Sequence, residues 1–206
     1  SNSKQRSKLM YENKIITEPK WKSWIIETTT PLLTPEQCKM VIDCGRSQPP
    51  QKAMVGTNKP EGGVDTKKRI TTISWIPFQA LPQLYQTLDT FIQKANLNHF
   101  GFDDIRITEQ AQFTEYPEGG FYDWHMDTDV VGAHEPPVRK ISMTLLLNDP
   151  NEFEGGHLEL TAPGKFKPMK QGHAICFASF LNHRVNPVTK GMRQSLVVWF
   201  GGKPFR

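Results

Sequence analysis

From Ile105 onward the chain is built of short β-branched and aromatic stretches punctuated by Gly, Pro, Asn and Asp: Ile105 to Tyr116, Lys140 to Leu147, His157 to Leu160, Ala174 to Phe177 and Ser195 to Phe200. They bury their apolar side chains only by pairing into sheets and stacking one sheet on another, which predicts a β-sandwich or barrel. The number of strands suits a jelly roll, also called a double-stranded β-helix.

The first half has a different periodicity. Trp21 to Ile26 reads as a strand, and Thr34-Pro35-Glu36-Gln37 carries the signature of a capped helix start. Cys38, Met40, Val41 and Cys44 then recur at three- and four-residue spacings toward a core, with the helix ending near Gly45 or Ser47. Ile70 to Ile76 alternates as a strand, and Leu81, Leu84, Leu88, Phe91, Ile92 and Ala95 mark a second amphipathic helix. The predicted class is therefore α+β, mainly β, with a jelly-roll core supported by N-terminal helices. With 206 residues, one domain is expected: an N-terminal segment over 1–20, helical support with a loop over 21–104, and the jelly-roll core over 105–202.

Composition excludes several classes. Charged residues make up 22% of the chain and no apolar run approaches the length of a membrane span, so neither global disorder nor transmembrane insertion is expected. A net charge of +4, with Lys67-Lys68-Arg69 as the main basic cluster, does not argue for nucleic-acid binding. Cys38, Cys44 and Cys176 make no disulfide framework, and no apolar signal core opens the chain. A reducing, cytoplasmic setting is the expectation. Oligomeric state leaves no signature in the sequence.

Within Phe121-Tyr122-Asp123-Trp124-His125-Met126-Asp127, His125 and Asp127 lie two residues apart, a spacing that on an extended strand turns both side chains to one face. The pair alone is a common accident of composition. His183, 58 residues later on another strand, completes the two-His, one-carboxylate facial triad of non-haem iron chemistry. Ten residues further, Arg193 begins an apolar strand that should enter the core, where a guanidinium needs an anion: an internal Asp or Glu, or the carboxylate of a ligand. Trp124, Met126 and Trp75 read as packing residues, His157 and His173 as strand residues, and His99 and His134 as helix-end and loop residues. The loop from Gln48 to Thr66 and the stretch from Asp129 to Pro137 are candidate lids.

With His125, Asp127, His183 and Arg193 in this order and spacing, the sequence resembles the 2-oxoglutarate and Fe(II)-dependent dioxygenases of the prolyl-4-hydroxylase-like branch. Glu154-Gly155-Gly156-His157-Leu158, followed by His183-Arg184-Val185-Asn186-Pro187-Val188 and Gly191-Met192-Arg193, is similar to the PKHD-type hydroxylases. The resemblance implies that His125, Asp127 and His183 hold iron as the catalytic centre. It also implies that Arg193 binds the distal carboxylate of 2-oxoglutarate with help from Tyr116, and that Tyr122, Arg139 and Trp199 line a site for a substrate proline. Where some relatives carry a tyrosine this chain has Leu146, and Thr144, two residues back, is the expected replacement. His157 stands where an acidic residue is usual.

The implied reaction consumes O2 and 2-oxoglutarate, releases succinate and CO2, and hydroxylates a C–H bond, with ascorbate as reductant. A proline-containing peptide or protein is the expected substrate, and a free amino acid or small metabolite is the alternative. Relatives that dealkylate nucleic acids carry a second arginine where this chain has Trp199, which counts against nucleic acid as a partner. A metal-binding cupin-like protein without oxygenase activity is the rival from another class, and Arg193 with Tyr116 is the feature that discriminates against it.

Overall fold

A computed structural model describes residues 23–52 and 68–205. The N-terminal segment, Trp21 and most of the Gln48–Thr66 candidate lid lie outside the described residues. Among those described, fifteen strands and two long helices follow one another, all strand pairs being antiparallel.

Helix α1 (Pro35–Ser47) starts as its sequence predicts: the Thr34 hydroxyl accepts from the Gln37 amide at 3.2 Å, and the Gln37 side chain accepts from the Thr34 amide at 2.9 Å. Such a box is worth about 1 kcal/mol. It buries Cys38, Val41 and Gly45, while Met40 is 58% exposed and does not join the core face. Gly45 is a contact residue inside the helix: a Cβ there would sit 2.4 Å from the Phe113 ring, so α1 lies close against the sheet. Helix α2 (Pro82–Ala95) buries Leu84, Tyr85, Leu88, Ile92 and Ala95.

The large sheet runs in the order β1 (Ile25–Glu27), β12 (Ala174–Ala178), β8 (Val138–Leu146), β15 (Arg193–Gly202), β6 (Ala111–Tyr116), β4 (Thr72–Ile76) and β2 (Gln51–Lys52), with β5 (Arg106–Ile107) also paired to β15. The smaller sheet is β11 (Phe166–Lys167), β10 (Leu158–Leu160), β13 (His183–Val185), β7 (Phe121–His125) and β3 (Arg69–Ile70). β9 (Phe153–Gly155) and β14 (Val188–Gly191) form a separate pair. This is the jelly-roll core expected from the strand pattern. Differences from expectation are local: Ile105 to Tyr116 is broken into β5 and β6, Ile70 to Ile76 into β3 and β4, and His157 and His173 stand just outside β10 and β12.

Alternation along the central strands separates two jobs. Ile141, Met143 and Leu145 of β8 and Leu196, Val198 and Phe200 of β15 join the helices in one apolar cluster. A period of two turns Ser142, Thr144 and Leu146, with Arg193, Ser195, Val197 and Trp199, to the opposite face, toward the smaller sheet. There Tyr116, Leu158, Leu160, Ile175, Phe177, Val185 and Val188 form a second, smaller cluster. The space between the sheets is thus partly apolar and partly polar, and the polar part is the candidate site.

Candidate metal centre

His125 and His183 are directly opposed on β7 and β13, but the next recorded pair is Tyr122 with Val185. Three residues of one strand span what two span on the other, which is a β-bulge. The extra residue turns Tyr122 and His125 to the same side, and their rings stack with centroids 3.5 Å apart and planes at 12°. β7 ends at His125, so the sequence expectation of one extended strand carrying both His125 and Asp127 is corrected. Asp127 is brought round by the backbone: the amides of Asp127 and Thr128 both donate to the Ser179 carbonyl, at 2.9 and 3.0 Å. The Thr128 hydroxyl ties the same turn to the Arg139 carbonyl at 2.7 Å.

One ligand atom from each of His125, Asp127 and His183 lies within 4.8 Å of the other two. Asp127 Oδ1 is 3.4 Å from His125 Nε2 and 3.6 Å from His183 Nε2. The longer of these exceeds a hydrogen bond, and the cluster has the spacing of donors gathered around one ion. Both imidazoles are oriented from behind: Nδ1 of His125 faces the Asp123 carbonyl at 2.8 Å, and Nδ1 of His183 faces the Leu181 carbonyl at 2.9 Å. A proton on each Nδ1 satisfies those carbonyls and leaves the Nε2 lone pairs free for a metal.

Burial works against the charge on Asp127, yet the neighbouring His183 and His125 and the Ser142 hydrogen bond outweigh it and hold the carboxyl far below its ordinary range. Burial pushes His183 down to about 4, with Asp127 opposing, so its imidazole is neutral and available as a ligand at neutral pH. The second carboxylate oxygen is fully engaged: Asp127 Oδ2 accepts from Ser142 Oγ at 2.6 Å and from Trp199 Nε1 at 2.9 Å. Ser142 in turn meets Ser179 Oγ at 2.9 Å. A carboxylate held this way presents Oδ1 to the histidines without rotating. This donor set of two imidazoles and one carboxylate fits Fe(II).

Arg193 pairs in register with Tyr116 and is 2% exposed. Its guanidinium donates to Ser195 Oγ at 3.1 Å, lies 3.8 Å from Met169 Sδ and stands 5.2 Å from the centre of the Tyr116 ring. Among the described residues no carboxylate pairs with it, so the internal ion pair is absent there. Gly156, at a φ of +62°, makes room for it, since a Cβ there would lie 3.1 Å from Arg193 Cδ. Thr144 is 8% exposed on the same sheet face, between Ser142 and Leu146, with no hydrogen bond to the arginine recorded.

Of the residues expected to line the substrate site, Arg139 forms an ion pair with Glu109 and covers the Trp199 ring, its Cζ 3.8 Å from the centroid. Tyr122 carries the Arg69 guanidinium at 4.3 Å on its ring. Arg69, Gln112, Glu109, Ser142 and Ser179 carry no motif that would have selected them. Arg69 is 6% exposed and donates to Thr71 Oγ1 at 2.7 Å and Gln112 Oε1 at 3.0 Å. Met126, expected to pack, is 49% exposed beside Asp127. Trp124 does pack, under the Arg184 guanidinium at 5.1 Å, and Trp75 flanks Trp199 with ring centroids 6.4 Å apart. The Asp129–Pro137 stretch contains a 3-10 turn, Gly132–His134, tied by Asp129 Oδ1 accepting from the Gly132 amide at 2.7 Å. With Asp127 and Arg139 it lines an open cleft of about 300 Å³.

Comparison with known proteins agrees with this geometry. Residues 111–201 match the profile of the 2OG-Fe(II) oxygenase superfamily. A PKHD-type hydroxylase of Colwellia psychrerythraea is 32% identical over 149 residues, covering 69% of this chain and 65% of the relative. In sequence the chain spans less than two thirds of the length of the curated relatives it matches first, from 44% to 65%. In structure it is similar to a Pseudomonas putida prolyl-4-hydroxylase, with a TM-score of 0.63 at 21% identity over 87% of this chain and 93% of the other. It is also similar to the viral collagen prolyl hydroxylase of Paramecium Bursaria Chlorella virus-1, with a TM-score of 0.66 at 18% identity over 87% and 97%. At these identities the two structures establish the fold.

Proposed function

We propose that this chain, whose residues 111–201 match the 2OG-Fe(II) oxygenase superfamily, is a dioxygenase hydroxylating a C–H bond of a peptidyl proline. The observation that carries the reading is the coexistence, between the same two sheets, of a His125–Asp127–His183 donor cluster and a buried Arg193 without a carboxylate partner among the described residues. A cupin-like metal binder has no use for the second feature.

His125 Nε2, His183 Nε2 and Asp127 Oδ1 would hold Fe(II). The bound metal, with 2-oxoglutarate and O2, supplies the oxidising power that places one oxygen atom in the substrate and the other in succinate, with loss of CO2. The protein's own work is positional. Arg193 takes the distal carboxylate of 2-oxoglutarate by a forked, charge-assisted hydrogen bond, with Tyr116 and Thr144 beside the cosubstrate. Ser142 and Trp199 keep Asp127 from rotating. The side chains of Asp127 and His183 are only 8% and 7% exposed, so bulk water has little access to the centre.

The proline reading is supported by the surroundings of the cluster. Tyr122 and Trp199 place aromatic rings beside the cluster, with Arg69 and Arg139 each lying over a face of one ring. A proline ring is compact, apolar and without a peptide N–H, and aromatic walls suit it. The relatives named PKHD-type hydroxylase and the prolyl hydroxylase structures point the same way.

The test is succinate release by the protein given Fe(II), ascorbate, 2-oxoglutarate and O2, with and without proline-containing peptides. Peptide-stimulated succinate and a mass gain of one oxygen on proline are expected. Stimulation only by free amino acids or metabolites would move the substrate to a small molecule. Absence of both succinate and 2-oxoglutarate binding would overturn the dioxygenase reading.

A further inference from the structure

Asp127 and His183 lean on one turn. Ala178 to Leu181 closes between β12 and β13, with the Leu181 amide donating to the Ala178 carbonyl at 2.9 Å. Inside it, the Ser179 carbonyl accepts the Asp127 and Thr128 amides, and the Leu181 carbonyl faces His183 Nδ1 at 2.9 Å. Ser179 Oγ adds a further link through Ser142, whose hydroxyl donates to Asp127 Oδ2. A displacement of this turn therefore moves both residues of the metal cluster together.

The turn is held from outside by aromatic rings. Ser179 is fully buried, whereas Phe180, the next residue, is 38% exposed. The Phe180 ring meets Trp24 with centroids 5.6 Å apart and Phe205 at 5.9 Å, and Phe102 meets the same two rings at 5.7 and 5.6 Å. These rings close a cycle drawn from four chain segments: before β1, after α2, the β12–β13 turn and after β15. Backbone bonds fix the same segments. The Ala178 amide donates to the Trp24 carbonyl at 2.9 Å, the Ser23 amide to the His99 carbonyl at 2.9 Å, and the Lys203 amide to Asp104 Oδ2 at 3.2 Å. Rings as exposed as Trp24, at 43%, and Phe180 gain less from burial than core aromatics do. Edge-to-face and stacked contacts still attract, and a ring gripped from two sides shifts only by parting both.

We propose that Phe180, gripped by Trp24 and Phe205, is a positioning residue of the metal centre: the aromatic cycle fixes the Ala178–Leu181 turn, and the turn sets the 3.6 Å separation of Asp127 Oδ1 from His183 Nε2. Phe205 extends the reach of β15, whose Trp199 already holds the other oxygen of Asp127. The grip on the turn is independent of any ligand. Its service to an iron centre rests on the function proposed above.

The test combines amide hydrogen exchange of the metal-free full chain, resolved by residue with NMR, and Co(II) titration followed by visible absorption. Phe78→Ala is the reference variant, because Phe78 is 45% exposed and its ring meets Tyr85 of α2 at 4.7 Å, outside the turn. Phe180→Ala should speed exchange at Asp127 and Thr128 about tenfold relative to the central amides of β8, and weaken Co(II) about tenfold. Phe205→Ala should shift both in the same direction, and Phe180→Tyr, which keeps the ring, should restore both. Phe78→Ala should move neither. Should Phe180→Ala fail to fold, Phe205→Ala decides alone, since its ring lies outside the turn. Unchanged exchange at Asp127 and Thr128 would overturn the proposal, as would faster exchange with unchanged Co(II) affinity. An equal effect in Phe78→Ala would reduce the aromatic cycle to general stability and overturn it too. Absence of Co(II) binding by the unsubstituted protein would overturn the iron-centre reading, and the exchange rates would still decide whether the cycle grips the turn.

Discussion

The indole N–H of Trp199 donates to Asp127 Oδ2 at 2.9 Å, which ties the last inward residue of β15 to the one carboxylate of the metal cluster. Trp199 therefore has a positioning role as well as an aromatic face. The Arg139 guanidinium covers the ring and Trp75 flanks it, so the indole has little freedom to release the carboxylate.

Replacing Trp199 by Phe keeps most of the ring and removes the donor. Partners of this kind typically cost 10- to 100-fold in metal affinity when lost. Titration of Trp199→Phe with Fe(II) or Co(II) should show about a tenfold weaker complex. Unchanged affinity would return Trp199 to a purely wall-forming role.

Arg193→Met removes a buried charge that has no carboxylate partner among the described residues. An unpaired buried cation is a stability liability, so the variant should melt at the same temperature or higher. Binding of 2-oxoglutarate should fall by about 100-fold or more, since a charge-assisted fork is lost. Thermal unfolding and ligand titration on one preparation check both halves. A strongly destabilised variant would mean that Arg193 serves the fold.

Gly156→Ala combines two strains. Its φ of +62° disfavours any residue with a Cβ, and that Cβ would lie 2.9 Å from Val188 Cγ2 and 3.1 Å from Arg193 Cδ. A loss of about 1–2 kcal/mol in stability is expected from the backbone alone. Displacement of the arginine should add a loss of 2-oxoglutarate affinity that a neutral surface variant of equal stability does not show. Denaturant unfolding and titration separate the two.

Burial pushes the Cys38 thiol up to about 11, with Glu36 adding to it, and raises Cys176 further. Both should resist iodoacetamide at pH 8 in the folded protein and react after denaturation, as read by peptide mass spectrometry. The same shifts give stability a sign. Above pH ~8.5 the unfolded thiols ionise while the folded ones stay protonated, so stability falls as pH rises, by at most about 1.4 kcal/mol per unit per thiol.

What the sequence reveals and what it conceals divide along chain distance. The capping box at Thr34, the alternation of Ser195 to Phe200 and the spacing of His183 from Arg193 are local patterns, and each reads directly as structure. The convergence of His125 and Asp127 is not local. It depends on a bulge opposite β13 and on the carbonyl of Ser179, more than fifty residues away, accepting two amides. Alternation on a single strand is the wrong mechanism for the right pair. The same holds for Ser142, Trp199 and Arg69, whose roles follow from cross-strand register and side-chain contacts that no short motif encodes.

β15 is also a ruler. Arg193 and Trp199 sit six residues apart on one continuous strand, roughly 20 Å along its backbone, with pairing on both flanks that leaves no slack. One end carries the buried guanidinium of Arg193, and the other fixes Asp127 Oδ2. Two residues removed between them would keep every side chain on its own face, yet shorten the span by about 7 Å. The separation between the buried guanidinium and the tryptophan that fixes Asp127 is thus set by the rise of a strand and guarded by the hydrogen bonds along its flanks.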